Sequence, residues 1–232
     1  GPGIGWQDLR TVGECLVLGG EGFRISPSAT ATKASHLLDV HDPDRARDLC
    51  VGTIDSWAAW TLSRGELHVT DTTNAAMYGL RADYRNEWDE RLLDRLRITE
   101  RALPTVVDSI GMVGEATALE GSPPIAGILG DQQASLLGQG CVRPGDAKIT
   151  FGTGAMLDLC LDQRPDFATM GEGGTIAIVS RSRGGERSYG LEGVMLAAGT
   201  NVQWLRDDLG IIDSAEHSHE VASLCDDTEG VA

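Results

Sequence analysis

The chain has 232 residues, of which 41% are hydrophobic and 23% charged, so it is long enough for one or two soluble domains with a sizeable core. Its 35 acidic and 19 basic side chains give a formal net charge of -16, which disfavours binding to nucleic acid or to anionic membrane surfaces. No apolar run approaches the roughly 18 residues that a membrane-spanning helix requires.

The five cysteines are spread along the chain and form no C-x-x-C pair. This pattern is typical of a reducing, cytoplasmic environment, and it argues against a disulfide framework and a zinc site. We therefore predict that each cysteine is a small buried apolar residue, and we assign no metal ligands in this sequence. The chain begins without Met or a signal-peptide pattern, and we expect it to be a fragment of a longer protein.

The N-terminal part of the sequence is predicted to be mainly helical, from apolar residues at helical spacing, candidate N-caps and closing glycines. The predicted helices cover residues 8–20, 26–40, 42–50, 55–63 and 88–96. Asp8 is the predicted N-cap of the first helix, and Trp57 and Trp60 are predicted to face inward from the fourth. The polar stretch HVTDTTNAA, residues 68–76, is predicted to be a loop.

From Gly111 onward the pattern changes to strands joined by tight turns. The predicted strands cover residues 125–129, 148–151, 156–161, 174–180 and 187–189. A helix is predicted from Asp131 through Leu137, and two more at 193–209 and 214–225. We place a domain boundary within residues 140–145, and the alternation of strands and helices indicates a mixed α/β chain of two lobes.

One candidate for chemistry is Asp131, which follows an apolar strand and two turn residues at the start of a helix. Active residues in α/β proteins collect at the carboxyl ends of strands, and a carboxylate there can take a proton from a hydroxyl. An Asp at this point is also a common helix cap. Spacing alone favours the cap.

Two further segments are candidates for binding a ligand. The turn Phe151-Gly152-Thr153-Gly154 offers backbone N–H groups and a hydroxyl to phosphate oxygens, although an ordinary hairpin with glycines at positive φ explains it equally well. Residues 193–203, GVMLAAGTNVQ, form a predicted helix start rich in small residues, which would let a ligand or another backbone approach. Tight helix packing is the simpler explanation for this second segment.

The order of several motifs resembles the FGGY carbohydrate kinase family and, within it, the glycerol kinase branch. The resemblance covers nearly the whole chain. The motifs that carry it are WQDLRT, SATATK, GTIDSW, HVTDTTNAA, GILGDQQASLLGQ, GDAKITFGTGAML and YGLEGVMLAAGTNVQWLRD.

This resemblance implies an α/β, actin-like ATPase (ribonuclease H-like) fold with two domains and a cleft between them, both incomplete here. Residues 1–141 would be the later part of the N-terminal, substrate-binding domain, and residues 142–232 the first part of the C-terminal, nucleotide-binding domain. The implied reaction is transfer of the ATP γ-phosphoryl group to a primary hydroxyl of a polyol, most simply glycerol. The implied partners are the polyol and ATP, with self-association left open.

The resemblance also implies roles for individual residues. Asp131 corresponds to the catalytic base and Gln132 to a polyol-contacting position. Ser28 and Met156 stand at two substrate-pocket positions where glycerol kinases carry a Tyr and a Phe. The positions expected to hold the nucleotide are Gly152, Thr153, Gly199 and Gln203.

Some of the family's motifs are not found in this sequence. The phosphate loop that supplies an acid near Mg²⁺ would lie upstream of Gly1, as would the segment that holds the glycerol hydroxyls, and we expect the fragment alone to be inactive. The alternatives are a kinase of another polyol or sugar, suggested by Ser28 and Met156, and a degenerate kinase-like domain kept for binding. The presence of Asp131 and of the FGTG turn disfavours the degenerate domain.

Overall fold

The computed structural model describes residues 1–81, 87–167 and 174–227, in which eight α-helices and eight strands form a mixed α/β protein. The helices are α1 (Val12–Gly20), α2 (Thr30–His41), α3 (Ile54–Leu62), α4 (Thr72–Ala76), α5 (Glu90–Leu96), α6 (Asp131–Gly138), α7 (Gly199–Asp207) and α8 (Ala215–Ser223). The strands are β1 (Val69–Asp71), β2 (Thr105–Val107), β3 (Ile110–Glu115), β4 (Pro124–Gly127), β5 (Ala147–Phe151), β6 (Ala155–Leu161), β7 (Ile176–Arg183) and β8 (Glu186–Met195).

The strands form three sheets. β1 and β2 pair in parallel, β3 and β4 pair antiparallel, and the last four strands form an antiparallel sheet in the order β5-β6-β8-β7. Helix α6 connects the β3–β4 pair to the four-stranded sheet. Within the described residues, every helix is too short or too polar to span a bilayer.

The main hydrophobic core lies in the N-terminal part and is built from α1, α2, α5 and the segment around α4. Leu92, Leu93 and Leu96 all point inward from α5, as their helical spacing predicts. The other fully or nearly fully buried members are Leu18, Ala31, Ala34, Leu38, Ala75, Tyr78, Leu80, Trp88, Ile98 and Leu103.

Several predicted elements are confirmed. Helices α1, α3, α5, α6 and α8 lie where the pattern places them, and Ser214 caps α8 by accepting a hydrogen bond from the His217 N–H. The hairpin between β5 and β6 is also confirmed. These elements depend on signals within a few residues of each other, which is why the sequence alone predicts them.

The predicted helix over residues 42–50 is wrong. The carboxylate of Asp42 accepts hydrogen bonds from the N–H groups of Ala46 and Arg47, and Arg45 adopts a left-handed φ of 54° that ends any helical path. The Arg45 guanidinium donates to the Arg97 carbonyl, 2.9 Å away, which fixes the loop against the end of α5. Tertiary contacts therefore override the Asp-Pro helix-start signal.

The loop predicted over residues 68–76 is also wrong, since it contains strand β1 and helix α4. Its polar side chains are buried, with Thr70 and Asp71 both at 0% exposure. β1 runs parallel to β2, so its backbone groups find partners about 36 positions away, at Thr105 to Val107. Polarity was a misleading signal because these side chains hydrogen-bond to each other in the interior.

Other expectations need correction at the level of single residues. Asp8 pairs with Arg10 instead of capping α1, whose N-cap is Thr11. Ser56 and Ala59 form the buried face of α3, while the tryptophans at 57 and 60 are exposed. Residues 193–195 belong to β8 because Met195 pairs with Ala155, so α7 begins only at residue 199. Two of the five cysteines, at 50 and 225, are exposed.

Candidate active site

Asp131 is the first residue of α6, and its carboxylate is exposed. Its Oδ1 accepts a hydrogen bond from the adjacent Gln132 N–H at 2.8 Å. The N-cap position is occupied by Gly130, so Asp131 does not serve as the N-cap of the helix. The exposed carboxylate is available to a bound hydroxyl.

The turn before Asp131 is fixed by a buried polar cluster. The Gly130 N–H donates to the Thr73 hydroxyl at 2.8 Å, and that hydroxyl donates to Asp71 at 2.9 Å. Asp71 also accepts from the N–H groups of residues 73 and 74, the Asn74 side-chain amide and the Ser109 hydroxyl. Asp71 and Thr73 are not among the predicted site residues, and the run of short polar residues in TDTTN is the only sequence signal for them.

The buried cluster extends into the four-stranded sheet. The Ser109 hydroxyl accepts a hydrogen bond from the Ser182 N–H on β7 at 3.0 Å, and the Ser182 hydroxyl accepts one from the Ser109 N–H at the same distance. Ser182 also bonds the Thr72 hydroxyl on α4. The cluster that positions Asp131 is therefore hydrogen-bonded to the segment before β3 and to strand β7 of the four-stranded sheet.

Gln132 connects α6 to β5, the strand that leads into the Gly152-Thr153-Gly154 turn. Its side-chain oxygen accepts a hydrogen bond from the Lys148 ammonium at 2.5 Å, and the same ammonium donates to the Thr150 hydroxyl at 2.9 Å. This contact packs Gln132, the neighbour of Asp131, against the strand that leads into the candidate phosphate turn.

The candidate phosphate turn packs directly against the start of α7. The N–H groups of Ala198 and Gly199 donate to the carbonyls of Thr153 and Gly152, at 2.8 and 2.9 Å. The Thr153 N–H and hydroxyl are exposed and have no partner within the described residues. They are therefore available to an anionic ligand, as the turn chemistry suggests.

Space, and not backbone conformation, requires glycine at Gly154 in this turn and at Gly199 beside it. Gly152 and Gly154 both have negative φ, contrary to the expectation from the hairpin signal. A Cβ at Gly154 would lie 2.5 Å from the Met195 carbonyl oxygen, and one at Gly199 would lie 2.7 Å from the Gly152 carbonyl oxygen. The small residues thus serve close backbone packing here.

The remaining candidate residues lie in different surroundings. Gln203 is exposed one helical turn after Gly199, which puts both on the same side of α7. Met156 lies opposite Thr150 on β6, so its side chain shares the sheet face that contacts Gln132. Ser28 is exposed before α2 and bonds only the Ser26 side chain among the described residues.

A row of buried charges lies on the same sheet face. Lys148, Asp158 and Glu192 are opposite one another on β5, β6 and β8, with exposures of 3%, 0% and 7%. The Lys148 ammonium is 2.7 Å from Asp158 Oδ2. Burial raises the pKa of Glu192 to about 7, with the charges of Asp158 and Asp131 adding to the rise and that of Lys148 opposing it. The row therefore carries two carboxyl groups for a single ammonium.

Comparison with known proteins identifies the family. Residues 1–138 match the model of the N-terminal domain of the FGGY family of carbohydrate kinases. The chain belongs to the FGGY family. It is 43% identical over 247 residues to the glycerol kinase of Aromatoleum aromaticum and 41% identical over 244 residues to that of Trichlorobacter lovleyi. These alignments cover 99% and 98% of this chain but 49% of each relative, so the FGGY chain spans about half the length of these relatives.

Solved structures show the fold of this FGGY chain. The Plasmodium falciparum glycerol kinase with ADP superposes with a TM-score of 0.83 at 24% identity, over 97% of this chain and 48% of that one. A ligand-bound xylulose kinase from Lactobacillus acidophilus gives 0.76 at 19% identity, over 96% of this chain and 47% of that one. The predicted actin-like ATPase fold is confirmed.

The charge row of the FGGY chain makes its stability depend on pH. Because the folded pKa of Glu192 lies above its usual range, its contribution to folding is complete at low pH and is lost as pH rises through about 7. In the wild-type protein we expect the free energy of unfolding to fall by about 2 kcal/mol between about pH 5 and pH 8. Glu192→Gln should not show this fall. Urea denaturation of both proteins across this range measures the difference.

Glu186 provides the control for this measurement because it is an exposed glutamate on the same strand. Glu186→Gln should leave the pH dependence unchanged. A decline of equal size in the wild-type protein and in Glu192→Gln would contradict the prediction.

The packing of the phosphate turn gives a second stability prediction. Gly154→Ala places a methyl group against the Met195 carbonyl, and we expect it to lower the free energy of unfolding by about 1–3 kcal/mol. Gly152→Ala is the matched control, since its Cβ would meet nothing closer than 3.7 Å. Equal losses in the two variants, measured by chemical denaturation, would show that the close approach at Gly154 has no energetic weight.

Proposed function

We propose that the protein carrying this chain transfers the γ-phosphoryl group of ATP to a primary hydroxyl of glycerol, giving glycerol 3-phosphate and ADP. The observation that carries the proposal is the Gln132–Lys148 contact, because it packs the neighbour of Asp131 against β5, the strand that leads into the Thr153 turn. The glycerol kinases at 41–43% identity support the same reaction.

In the proposed reaction, Asp131 is the general base. Its carboxylate orients the polyol hydroxyl and accepts the hydroxyl proton while the oxygen attacks the γ-phosphorus and ADP leaves. The exposed position at the start of α6 is compatible with this role. Gln132 contacts another oxygen of the polyol from the adjacent position.

The residues around Thr153 fit the phosphates of ATP. The unpartnered N–H and hydroxyl of Thr153 would donate hydrogen bonds to phosphate oxygens, which stabilises the negative charge that moves during transfer. Gly152 and Gly199 hold the turn against the start of α7 through a backbone hydrogen bond, and Gln203, one helical turn after Gly199, would lie on the nucleotide side of α7.

We assign no step to a metal ion. Phosphoryl transfer from ATP commonly uses Mg²⁺, but the described residues contain no cluster of three or more histidine, cysteine or carboxylate side chains that would hold an ion.

We also propose that residues 1–141 and 142–232 belong to two domains, for the polyol and the nucleotide respectively. The match to the N-terminal domain model ends at residue 138, close to the proposed boundary. The four-stranded sheet and the Thr153 turn both follow it. We further place the protein in the cytoplasm, where free cysteines are usual, and all five are free here.

The test of the proposal is an assay of the complete gene product with ATP and a panel of glycerol, tetritols and ketopentoses, measuring ADP release and the phosphorylated product. We expect glycerol 3-phosphate from glycerol. Parallel assay of the 232-residue chain should give no turnover, because it spans about half of the length of its kinase relatives. Absence of transfer to every acceptor would contradict the kinase function and favour a degenerate binding domain.

Ser28 and Met156 predict a wider substrate range. With a small hydroxyl and a flexible thioether at these positions, the proposed pocket loses apolar contact with a three-carbon ligand. We expect glycerol to be phosphorylated with a raised KM, and four-carbon polyols to be accepted. The paired substitution Ser28→Tyr and Met156→Phe should lower the glycerol KM by about tenfold and exclude the longer polyols.

The two single substitutions are the controls for the paired variant, since each restores one ring alone. Tight and exclusive use of glycerol by the wild-type protein would contradict the wider pocket and would mean that neighbouring side chains fill the space.

A further inference from the structure

The side-chain amide of Gln132 has one orientation in this structure. Its oxygen faces the Lys148 ammonium at 2.5 Å, and an ammonium can only donate hydrogen bonds. The amide oxygen must therefore face Lys148, which leaves the amide nitrogen directed away from it. That nitrogen has no hydrogen-bond partner within the described residues, and the side chain is only half-buried.

Lys148 is itself held in place. Its side chain has 0% exposure, and its ammonium lies within 2.9 Å of three acceptors: the Gln132 oxygen, the Thr150 hydroxyl and the Asp158 carboxylate. The ammonium donates hydrogen bonds to Gln132 and Thr150, and its charge pairs with the Asp158 carboxylate. Asp158 lies opposite Lys148 across the β5–β6 pair, and the strand register keeps the two together.

We propose that Lys148 is a positioning residue that fixes the Gln132 amide with its N–H₂ group toward the polyol, so that this position recognises an acceptor oxygen of the substrate. The proposal rests on the kinase function above and deepens it, because it states which chemical group the site accepts. A substrate hydroxyl can accept a hydrogen bond from this N–H₂ group through its oxygen. A carbonyl oxygen at the same place can accept it equally well.

Loss of Lys148 should reverse the orientation of the Gln132 side-chain amide. Without the ammonium, the buried carboxylate of Asp158, which lies 2.7 Å from that ammonium in the wild-type protein, attracts the amide N–H₂ inward. The amide oxygen then faces the substrate. A hydroxyl still binds, since it can donate, whereas a carbonyl has no hydrogen to give and is rejected.

The experiment compares glycerol with its two carbonyl analogues, dihydroxyacetone and glyceraldehyde, as acceptors for the complete gene product. For each analogue, the measured quantity is its KM divided by the glycerol KM. In Lys148→Met we expect this ratio to rise at least about fivefold over wild type for the analogue whose carbonyl faces Gln132, because a hydrogen bond is replaced by two opposed acceptors. If the KM of each analogue and the KM of glycerol rise by the same factor, the ratio is unchanged for both analogues. That result would show that Lys148 has a structural role alone, and it would overturn the proposal.

Two further variants keep the test decisive if Lys148→Met fails to fold. Lys148→Met paired with Asp158→Leu replaces the buried ion pair by apolar groups, which proteins commonly tolerate, and it also removes the carboxylate that would hold the amide N–H₂ inward, so its ratio should stay near that of wild type. Gln132→Glu keeps an oxygen for Lys148 but presents a second oxygen outward, so it should raise the same ratio with Lys148 intact. A wild-type ratio in Gln132→Glu would overturn the proposal. Absence of any glycerol turnover in the wild-type protein would instead contradict the kinase function.

Discussion

Replacing Asp131 by Asn in the complete gene product is expected to lower kcat by at least about 100-fold, the usual size of a general-base contribution. The amide is nearly the same size as the carboxylate, so substrate binding should change far less. The KM for glycerol measures this change. Steady-state kinetics with glycerol and saturating ATP measures both quantities.

Glu90 is the matched control for Asp131 because it is the first residue of α5, just as Asp131 is the first residue of α6. Glu90→Gln removes the same favourable interaction with a helix dipole but no proposed chemistry, and it should leave kcat unchanged. A near-normal kcat in Asp131→Asn would mean that Asp131 only stabilises its helix, and the proposed mechanism would be wrong.

Replacing Asp71 by Ala is expected to lower the free energy of unfolding by about 3 kcal/mol or more, since it leaves several buried donors without an acceptor. The carboxylate has 0% exposure and accepts from the hydroxyls of Thr73 and Ser109, the Asn74 amide and two backbone N–H groups. Urea denaturation of the purified chain measures the loss.

Asp89 is the control for this second experiment. It is also the N-cap of a helix, α5, but from the described part of the chain it accepts a single hydrogen bond, from the Leu92 N–H at 3.2 Å. Asp89→Ala should cost about 1 kcal/mol, as loss of an ordinary helix cap does. Equal losses at both positions would show that the buried cluster adds nothing beyond capping, and that the turn before Asp131 is positioned by other contacts.

The sequence by itself determined the elements whose signals are local. Helix α5 follows from the spacing of its leucines, α8 from its Ser214 cap, and the β5–β6 hairpin from two strand-like runs around a glycine turn. The motif order also led to the correct family, because the motifs keep their spacing over nearly the whole chain.

The tertiary structure alone decided which polar residues are buried and what they contact. Asp71 bonds Ser109, which is 38 positions away, and Ser109 bonds Ser182 a further 73 positions on. Such partners leave no periodic pattern, so a polar segment that is satisfied in the interior has the same composition as a solvated loop.

The surroundings of Gln132 were decided in the same way. The sequence singled out Gln132 beside Asp131, but Lys148, Asp158 and Glu192 become neighbours only through the register of three strands. Register places every second side chain of each strand on the face toward α6, and a shift of one residue would turn all three charges to the other face. The pairing of β5, β6 and β8 therefore sets the charge beneath Gln132, and no local property of the sequence encodes it.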